Sequence, residues 1–223
     1  MSWVGEAIDA RPAMGLQAEG LGKRYGRVWI LRKVSFELVP GGRLVVRGGN
    51  GSGKSSLLRL ICGLDRASEG LVSGYFEGGT VPGLEALKAE LLPDHTAYSA
   101  PDQHLIVDLT AREQLAFHAR FRGFKPGLTP ETVLEAAQLS GHGDKMVGNL
   151  SSGMRQRLEL AIAMGTQAKL LVLDEPVSHL DRAGVAWYGD LQNRWCAGQT
   201  IITGSNYHGD EYPEGAEFLD LTA

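Results

Sequence analysis

Eight consecutive residues, Gly48-Gly49-Asn50-Gly51-Ser52-Gly53-Lys54-Ser55, carry the spacing G-x-x-x-x-G-K-[ST]. That spacing suits the cradling of phosphate. Glycines let backbone N–H groups curl around phosphate oxygens, and a following helix N-terminus adds partial positive charge. Lys54 is expected to reach the outer phosphates and the Ser55 hydroxyl to ligate Mg²⁺, with Ser56 beside it in the same site. A second segment, Lys169-Leu170-Leu171-Val172-Leu173-Asp174-Glu175-Pro176, sets two carboxylates after an apolar run. Asp174 has the chemistry to hold Mg²⁺, directly or through water, and Glu175 to polarise a water for attack on a phosphoryl group. A third segment, Leu150-Ser151-Ser152-Gly153-Met154, places two hydroxyls and a glycine at a predicted helix start, where backbone donors favour an anion.

These residues need a scaffold, and the flanking pattern supplies one. Leu44-Val45-Val46 reads as a buried strand entering the glycine-rich loop, and a helix leaves it from Ser55 with apolar residues at 57, 58, 60 and 61. Gly63 is placed to stop that helix. Earlier, Val28–Leu31 and Val34–Leu38 read as strands, with a turn at Pro40-Gly41-Gly42. The middle of the chain is helical by pattern. Thr110-Ala111-Arg112-Glu113 forms a capping box opening a helix to about Phe121, Thr129-Pro130 opens a second, and a third begins near Ser151. Leu170–Leu173 and Thr200–Thr203 read as buried strands separated by a helix from about Ala183 to Trp195. Asp174 and Glu175 thus fall at the carboxyl end of a strand, the edge where open α/β sheets bind ligands.

Composition bounds the alternatives. Of 223 residues, 43% are hydrophobic and 22% charged, which excludes a wholly disordered chain. Residues 1–66 hold 11 basic against 5 acidic side chains, while the remainder holds 11 against 21. The net charge of −4 argues against a generic nucleic-acid binder, so no nucleic-acid partner is expected. Only Cys62 and Cys196 occur, in no metal or disulfide spacing. No apolar run reaches the ~18–20 residues of a membrane span, and the N-terminus lacks the features of a signal peptide. Residues 1–13 read as a loose extension and the chain as cytoplasmic.

The order of the three segments, with the Ser-Ser-Gly-Met stretch about 100 residues after the phosphate loop and the Asp-Glu strand some 20 residues later, resembles an ABC-type ATPase domain. The resemblance runs from about Leu16 to Leu221. It implies a P-loop α/β core with an antiparallel β subdomain near the N-terminus and an inserted helical subdomain at about 95–165, all within one domain over 14–223. It also implies ATP and Mg²⁺ as ligands. Tyr25, in Gly22-Lys23-Arg24-Tyr25-Gly26, is similar to the aromatic that stacks on adenine, and Asp181, in Ser178-His179-Leu180-Asp181, to the D-loop aspartate. In that family two domains close head-to-tail, so Ser151, Ser152 and Gly153 are implied to contact ATP across a dimer interface. The implied function is an ATP-hydrolysing subunit at the inner face of the cell membrane, driving a separate integral membrane permease. A soluble non-transport ABC protein and an ATP-binding switch module are the alternatives. The Ser-Ser-Gly-Met-Arg-Gln-Arg stretch is similar to haem-exporter-like ATPases.

Three departures from the family pattern stand out. The signature reads Leu-Ser-Ser-Gly-Met rather than Leu-Ser-Gly-Gly-Gln, with backbone donors intact. Gln103 lies near the expected Q-loop, yet the usual spacing back from Thr110 lands on Pro101, so Gln103 is either a ligand of Mg²⁺ or water, or a loop residue. After the last core strand the family reads Thr-His, whereas this chain reads Ile202-Thr203-Gly204-Ser205-Asn206. Simple register puts Gly204 at the histidine position, with Ser205, Asn206 and His208 as the alternatives. Without an imidazole there, slow hydrolysis is expected.

Overall fold

The computed structural model describes residues 13–76, 87–101, 105–206, 212 and 215–221. In chain order come β1 (Met14–Tyr25), β2 (Val28–Leu38), β3 (Arg43–Arg47) and helix α1 (Lys54–Ile61). They are followed by β4 (Glu69–Phe76), β5 (Leu87–Lys88), the one-turn α2 (Leu92–His95) and β6 (Thr96–Ser99). Helices α3 (Ala111–Phe121), α4 (Pro130–Ala136) and α5 (Ser152–Gly165) come next. The chain ends with β7 (Leu170–Asp174), α6 (Arg182–Trp195), β8 (Thr200–Ser205) and β9 (Glu217–Asp220).

One compact unit comprises Pro12–Ala100, Ala168–Pro176 and Gly198–Ala223. It holds two sheets. The first is antiparallel in the order β2-β1-β4-β5. The second is parallel in the order β6-β7-β8-β3-β9. The continuous apolar runs at 44–46, 170–173 and 201–202 are explained by this placement, because a parallel strand covered on both faces has no solvent side to alternate toward. Met14, Leu16 and Leu38 of the antiparallel sheet, Leu57, Leu58 and Ile61 of α1, and Val46, Val172 and Ile202 of the parallel sheet share one core. Thr200, fully buried at the start of β8, ties the two sheets. Its hydroxyl donates to the Met14 carbonyl at 2.7 Å and accepts from the Gly41 N–H at 2.8 Å. The expected α/β P-loop core and its antiparallel sheet are both present.

The other unit comprises Pro101–Gln167 with Val177–Ala197 and is helical. Its helix starts follow the local chemistry. Thr110 and Glu113 close a reciprocal capping box on α3, Thr129 and Thr132 do the same on α4, and Ser151 caps α5. Two boundaries differ from a helical segment over 95–165. Residues 96–99 form β6, whose register with β7 places it in the parallel sheet, and α6 groups with the helices although it follows the Asp-Glu strand. The leading extension lies outside the described residues up to residue 12.

A half-buried histidine contributes to this helical unit. The Thr166 hydroxyl donates to the Ile162 carbonyl at 2.6 Å, so its lone pair accepts from His118 Nε2–H at 2.8 Å, and the imidazole packs against Phe124. Burial, helped by the charge of Arg122, lowers the His118 pKa to about 4. The unfolded imidazole titrates near ~6.5, so between those values the unfolded chain binds more protons. The stabilisation is therefore complete above about pH 6.5 and is lost as pH falls toward 4. Chemical denaturation at pH 7 and pH 4.5 should show an acid-dependent loss of about 1–2 kcal/mol that disappears in His118→Gln, after discounting for the ring's partial exposure. Equal acid sensitivity in the variant would assign the loss to other groups.

Candidate functional site

The glycine-rich loop connects β3 to α1, and its geometry follows from its composition. Gly53 caps α1 in a left-handed conformation with φ of 94°, and no side chain among the described residues satisfies the helix's first amides. A Cβ at Gly53 would sit 3.1 Å from Ile30 Cγ2 and 3.2 Å from the Ile30 carbonyl, so both the backbone angle and the space call for glycine. The first-turn N–H groups of α1 therefore remain directed at whatever occupies the loop. Ser52 adds a buried hydroxyl with no hydrogen-bond partner among the described residues.

Lys54 is 5% exposed and points back over the loop. Its ammonium donates to the Gly48 carbonyl at 2.8 Å, the Gly49 carbonyl at 3.3 Å and Asn206 Oδ1 at 2.5 Å. Across from it, β7 ends in buried Asp174, and half-buried Glu175 follows. Glu175 is one of three non-glycine residues among those described with positive φ, at 48°. Such a conformation persists only where neighbours hold it, and β8 does so. The Glu175 N–H donates to the Gly204 carbonyl at 2.9 Å, and its Oε1 accepts from Asn206 Nδ2 at 2.5 Å. Lys54 Nζ lies 3.8 Å from the same Oε1. The phosphate-loop lysine, the acidic strand end and the end of β8 thus converge at the carboxyl edge of the parallel sheet.

The candidates for the histidine position lie at the end of β8. A Cβ on Gly204 would lie 2.8 Å from both Asp174 Oδ1 and Leu58 Cδ1, so residue 204 faces the buried seam of β7 and α1, and a side chain there would have to displace both. Ser205 is fully buried. With a strand period of two, Asn206 lies one step beyond Gly204 on the same face, past the end of β8, and its side chain reaches Lys54 and Glu175. Simple register selects Gly204, whereas the side chain that reaches Lys54 and Glu175 is that of Asn206, one of the alternatives. His208 and Gln103 both lie outside the described residues.

The donors fit Mg²⁺. Asp174, at the end of β7, offers a carboxylate oxygen and Ser55, in the first turn of α1, a hydroxyl, the oxygen donors that this ion takes. Among the described residues no cluster of three or more His, Cys, Asp or Glu suits a softer or self-sufficient metal site. Magnesium commonly takes one or two protein oxygens and completes its shell with phosphate and water. Cys62, buried under α1, plays no part. Burial, and then the Asp174 charge, push its thiol far above the usual range.

Tyr25, at the end of β1, keeps 52% of its surface exposed. Its hydroxyl donates to Asp65 Oδ2 at 3.0 Å, while Lys23 bonds Asp65 Oδ1 at 2.6 Å and lies over the Tyr25 ring. Burial works to raise the Asp65 pKa, but hydrogen bonds from Lys23, Tyr25 and the Arg66 amide outweigh it and hold the carboxyl below its ordinary value. The ring is therefore anchored at its polar end with Lys23 over one face, and half of its surface stays exposed to serve as an aromatic platform. Asp65 and Lys23 are supporting residues that sequence reading missed, because 40 residues separate Tyr25 from Asp65.

The signature and the D-loop belong to the helical unit. Ser151 accepts from the Met154 N–H at 3.3 Å to cap α5, leaving Ser152 and Gly153 at the exposed first turn. A Cβ on Gly153 would lie 3.2 Å from the His179 carbonyl, so the D-loop backbone runs against the signature. The Asp181 carboxylate caps α6 through the Gly184 N–H at 2.8 Å, a local role beside the one implied by resemblance.

Comparison with known proteins fits this geometry. The family profile described as ABC transporter matches residues 31–178. The chain is 37% identical over 182 residues to the cytochrome c biogenesis ATP-binding export protein CcmA of Agrobacterium fabrum, covering 80% of this chain and 82% of that one. It is 32% identical over 171 residues to the sulfate/thiosulfate import ATP-binding protein CysA of Thermosynechococcus vestitus, covering 75% of this chain and 49% of the relative. Among solved structures, an ATP-binding cassette of an ABC transporter in its ADP conformation superimposes with a TM-score of 0.68 at 23% identity, covering 94% and 90% of the two chains. A bacterial Atm1-family ABC exporter with ATP bound gives 0.76 at 21%, covering 96% of this chain and 37% of the exporter. At those identities the structures speak for the fold alone. Profile and relatives together show that the chain belongs to the ABC transporter family.

Proposed function

We propose that the chain hydrolyses Mg²⁺-ATP as one half of a head-to-tail dimer and drives a separate membrane permease in an export process. The observation that carries this reading is the convergence of Lys54, Asn206 and Glu175 at the carboxyl edge of the parallel sheet. Lys54 brings positive charge to the phosphates, and Glu175, held at one oxygen by Asn206, keeps acceptor capacity to orient a water for in-line attack. Ser55 and Asp174 would hold Mg²⁺, which when bound neutralises charge on the phosphate oxygens. The Tyr25 face stacks the adenine. Ser151, Ser152 and Gly153 offer a hydroxyl, a helix start and a close-approach glycine to the ATP held by the partner domain.

Export, rather than import, is favoured by the relative with 37% identity and 82% of its own length covered, whose name records cytochrome c biogenesis and export. No helix among the described residues is long and apolar enough to cross a membrane, so membrane attachment at the inner face falls to the permease. Turnover is slow, because Asn206 supplies no ionisable group near neutrality. Affinity purification of the tagged chain from detergent-solubilised native membranes tests the transport reading. A multi-span membrane protein at near-equal stoichiometry is expected. Recovery of soluble partners alone would overturn it.

A further inference from the structure

One helix connects the phosphate loop to the Tyr25 ring. Helix α1 begins at Lys54, and just past its other end the Leu64 and Asp65 N–H groups donate to the Arg59 carbonyl at 2.9 Å and 3.2 Å. Asp65 is thereby fixed to the last turn of α1, and its two carboxylate oxygens serve different partners. Oδ2 accepts from the Tyr25 hydroxyl at 3.0 Å, while Oδ1 accepts from Lys23 Nζ at 2.6 Å and from the Arg66 N–H at 2.8 Å. Lys23 donates a second hydrogen bond to the Arg66 carbonyl at 2.9 Å, which holds its ammonium 4.9 Å from the centre of the Tyr25 ring. Lys23 thus covers one face of the ring and Asp65 holds its tip. The face turned away from Lys23 is left for a ligand.

We propose that Asp65 is a positioning residue for the nucleotide base: it clips Tyr25 by its hydroxyl and Lys23 against one ring face, so that the base stacks on the opposite face, at a span from the phosphate loop set by α1. A tyrosine as exposed as this one is otherwise free to change rotamer, and fixing it only when a ligand arrives weakens binding. Here the ring is fixed beforehand. Asp65 touches neither the phosphates nor the base, and acts through Tyr25 alone. Its loss therefore weakens the share of the affinity that comes from the base and leaves the share that comes from the phosphates. The proposal rests on the reading of Tyr25 as the base platform and adds the residue that holds the platform in place.

The test is displacement of a ribose-labelled fluorescent ATP analogue from the purified chain, by ATP and separately by inorganic tripolyphosphate, which carries phosphates and no base. Asp65→Ala should weaken ATP about 3–10-fold, the range that follows from leaving one side chain to be immobilised on binding, and should change tripolyphosphate less than about 2-fold. A merely structural role would weaken both competitors alike. Tyr25→Phe cuts the same hydrogen bond from the other end while keeping the ring, and it should show the same selective loss. That variant stands in for Asp65→Ala if the latter does not fold. In a Tyr25→Ala background, Asp65→Ala should add no further loss of ATP affinity, because the ring through which it acts is gone. An unchanged ATP affinity in Asp65→Ala or Tyr25→Phe, equal losses for ATP and tripolyphosphate, or a full multiplicative loss on Tyr25→Ala would overturn the proposal. An unchanged ATP affinity in Tyr25→Ala itself would instead overturn the platform reading beneath it, and failure of tripolyphosphate to displace the analogue from the unmodified chain would overturn the phosphate-loop reading.

Discussion

Replacing Lys54 with alanine should lower affinity for ATP roughly 10–100-fold, measured by titration with a fluorescent nucleotide analogue, and abolish phosphate release at ATP concentrations that saturate the unmodified chain. The side chain is 5% exposed and its ammonium is fixed by three oxygens, so the charge is presented in one place with little conformational freedom left to lose on binding. Charge-assisted hydrogen bonds to phosphate contribute about 1.5–3 kcal/mol each, and one or two such bonds set the stated range. Arginine should not rescue. The space bounded by the Gly48 and Gly49 carbonyls and Asn206 holds a compact ammonium, and a planar guanidinium has a different shape and reach. Undiminished affinity in Lys54→Ala would mean that the loop does not bind the phosphates.

The parts of this site that were legible in the sequence are those in which chemistry and position are local. The phosphate loop is contiguous, its strand and helix flank it directly, and the carboxylates of Asp174 and Glu175 follow an apolar run whose length admits only a buried strand. Helix starts at Thr110, Thr129 and Ser151 were equally legible, because a cap acts within four residues. What stayed hidden depends on which strands lie side by side. The Asp65 support of Tyr25 joins the end of β1 to the turn after α1, and nothing near either residue announces the other. The role of Asn206 depends on the pairing of β7 with β8, which sets Gly204 opposite Asp174 and turns the next residue on that face toward Lys54. Counting along the chain puts Gly204 first, and only the folded strand shows that the Asn206 side chain is the one that reaches Lys54 and Glu175. The return of α6 to the helical unit is a property of packing that no local motif encodes.

Glu175→Gln should cut phosphate release by about 10²–10⁴-fold with ATP affinity unchanged within about 3-fold, because the substitution keeps the shape of the side chain and removes only its charge and basicity. The glutamine can be oriented so that its Oε1 still accepts from Asn206 Nδ2, the bond that places the group now. Its backbone hydrogen bond to Gly204 does not involve the side chain, so the left-handed turn at residue 175 also survives. The variant therefore binds ATP in a near-native site and stalls before cleavage, and an ATP-dependent dimer should accumulate on size-exclusion chromatography. The pairing of these two readouts separates an ATPase from an ATP-gated switch. In an ATPase, the unmodified chain releases phosphate and the variant does not, and only the variant holds a lasting ATP-bound dimer. In a switch, chain and variant would dimerise alike with ATP and neither would release phosphate, which would assign Glu175 to binding geometry rather than to catalysis.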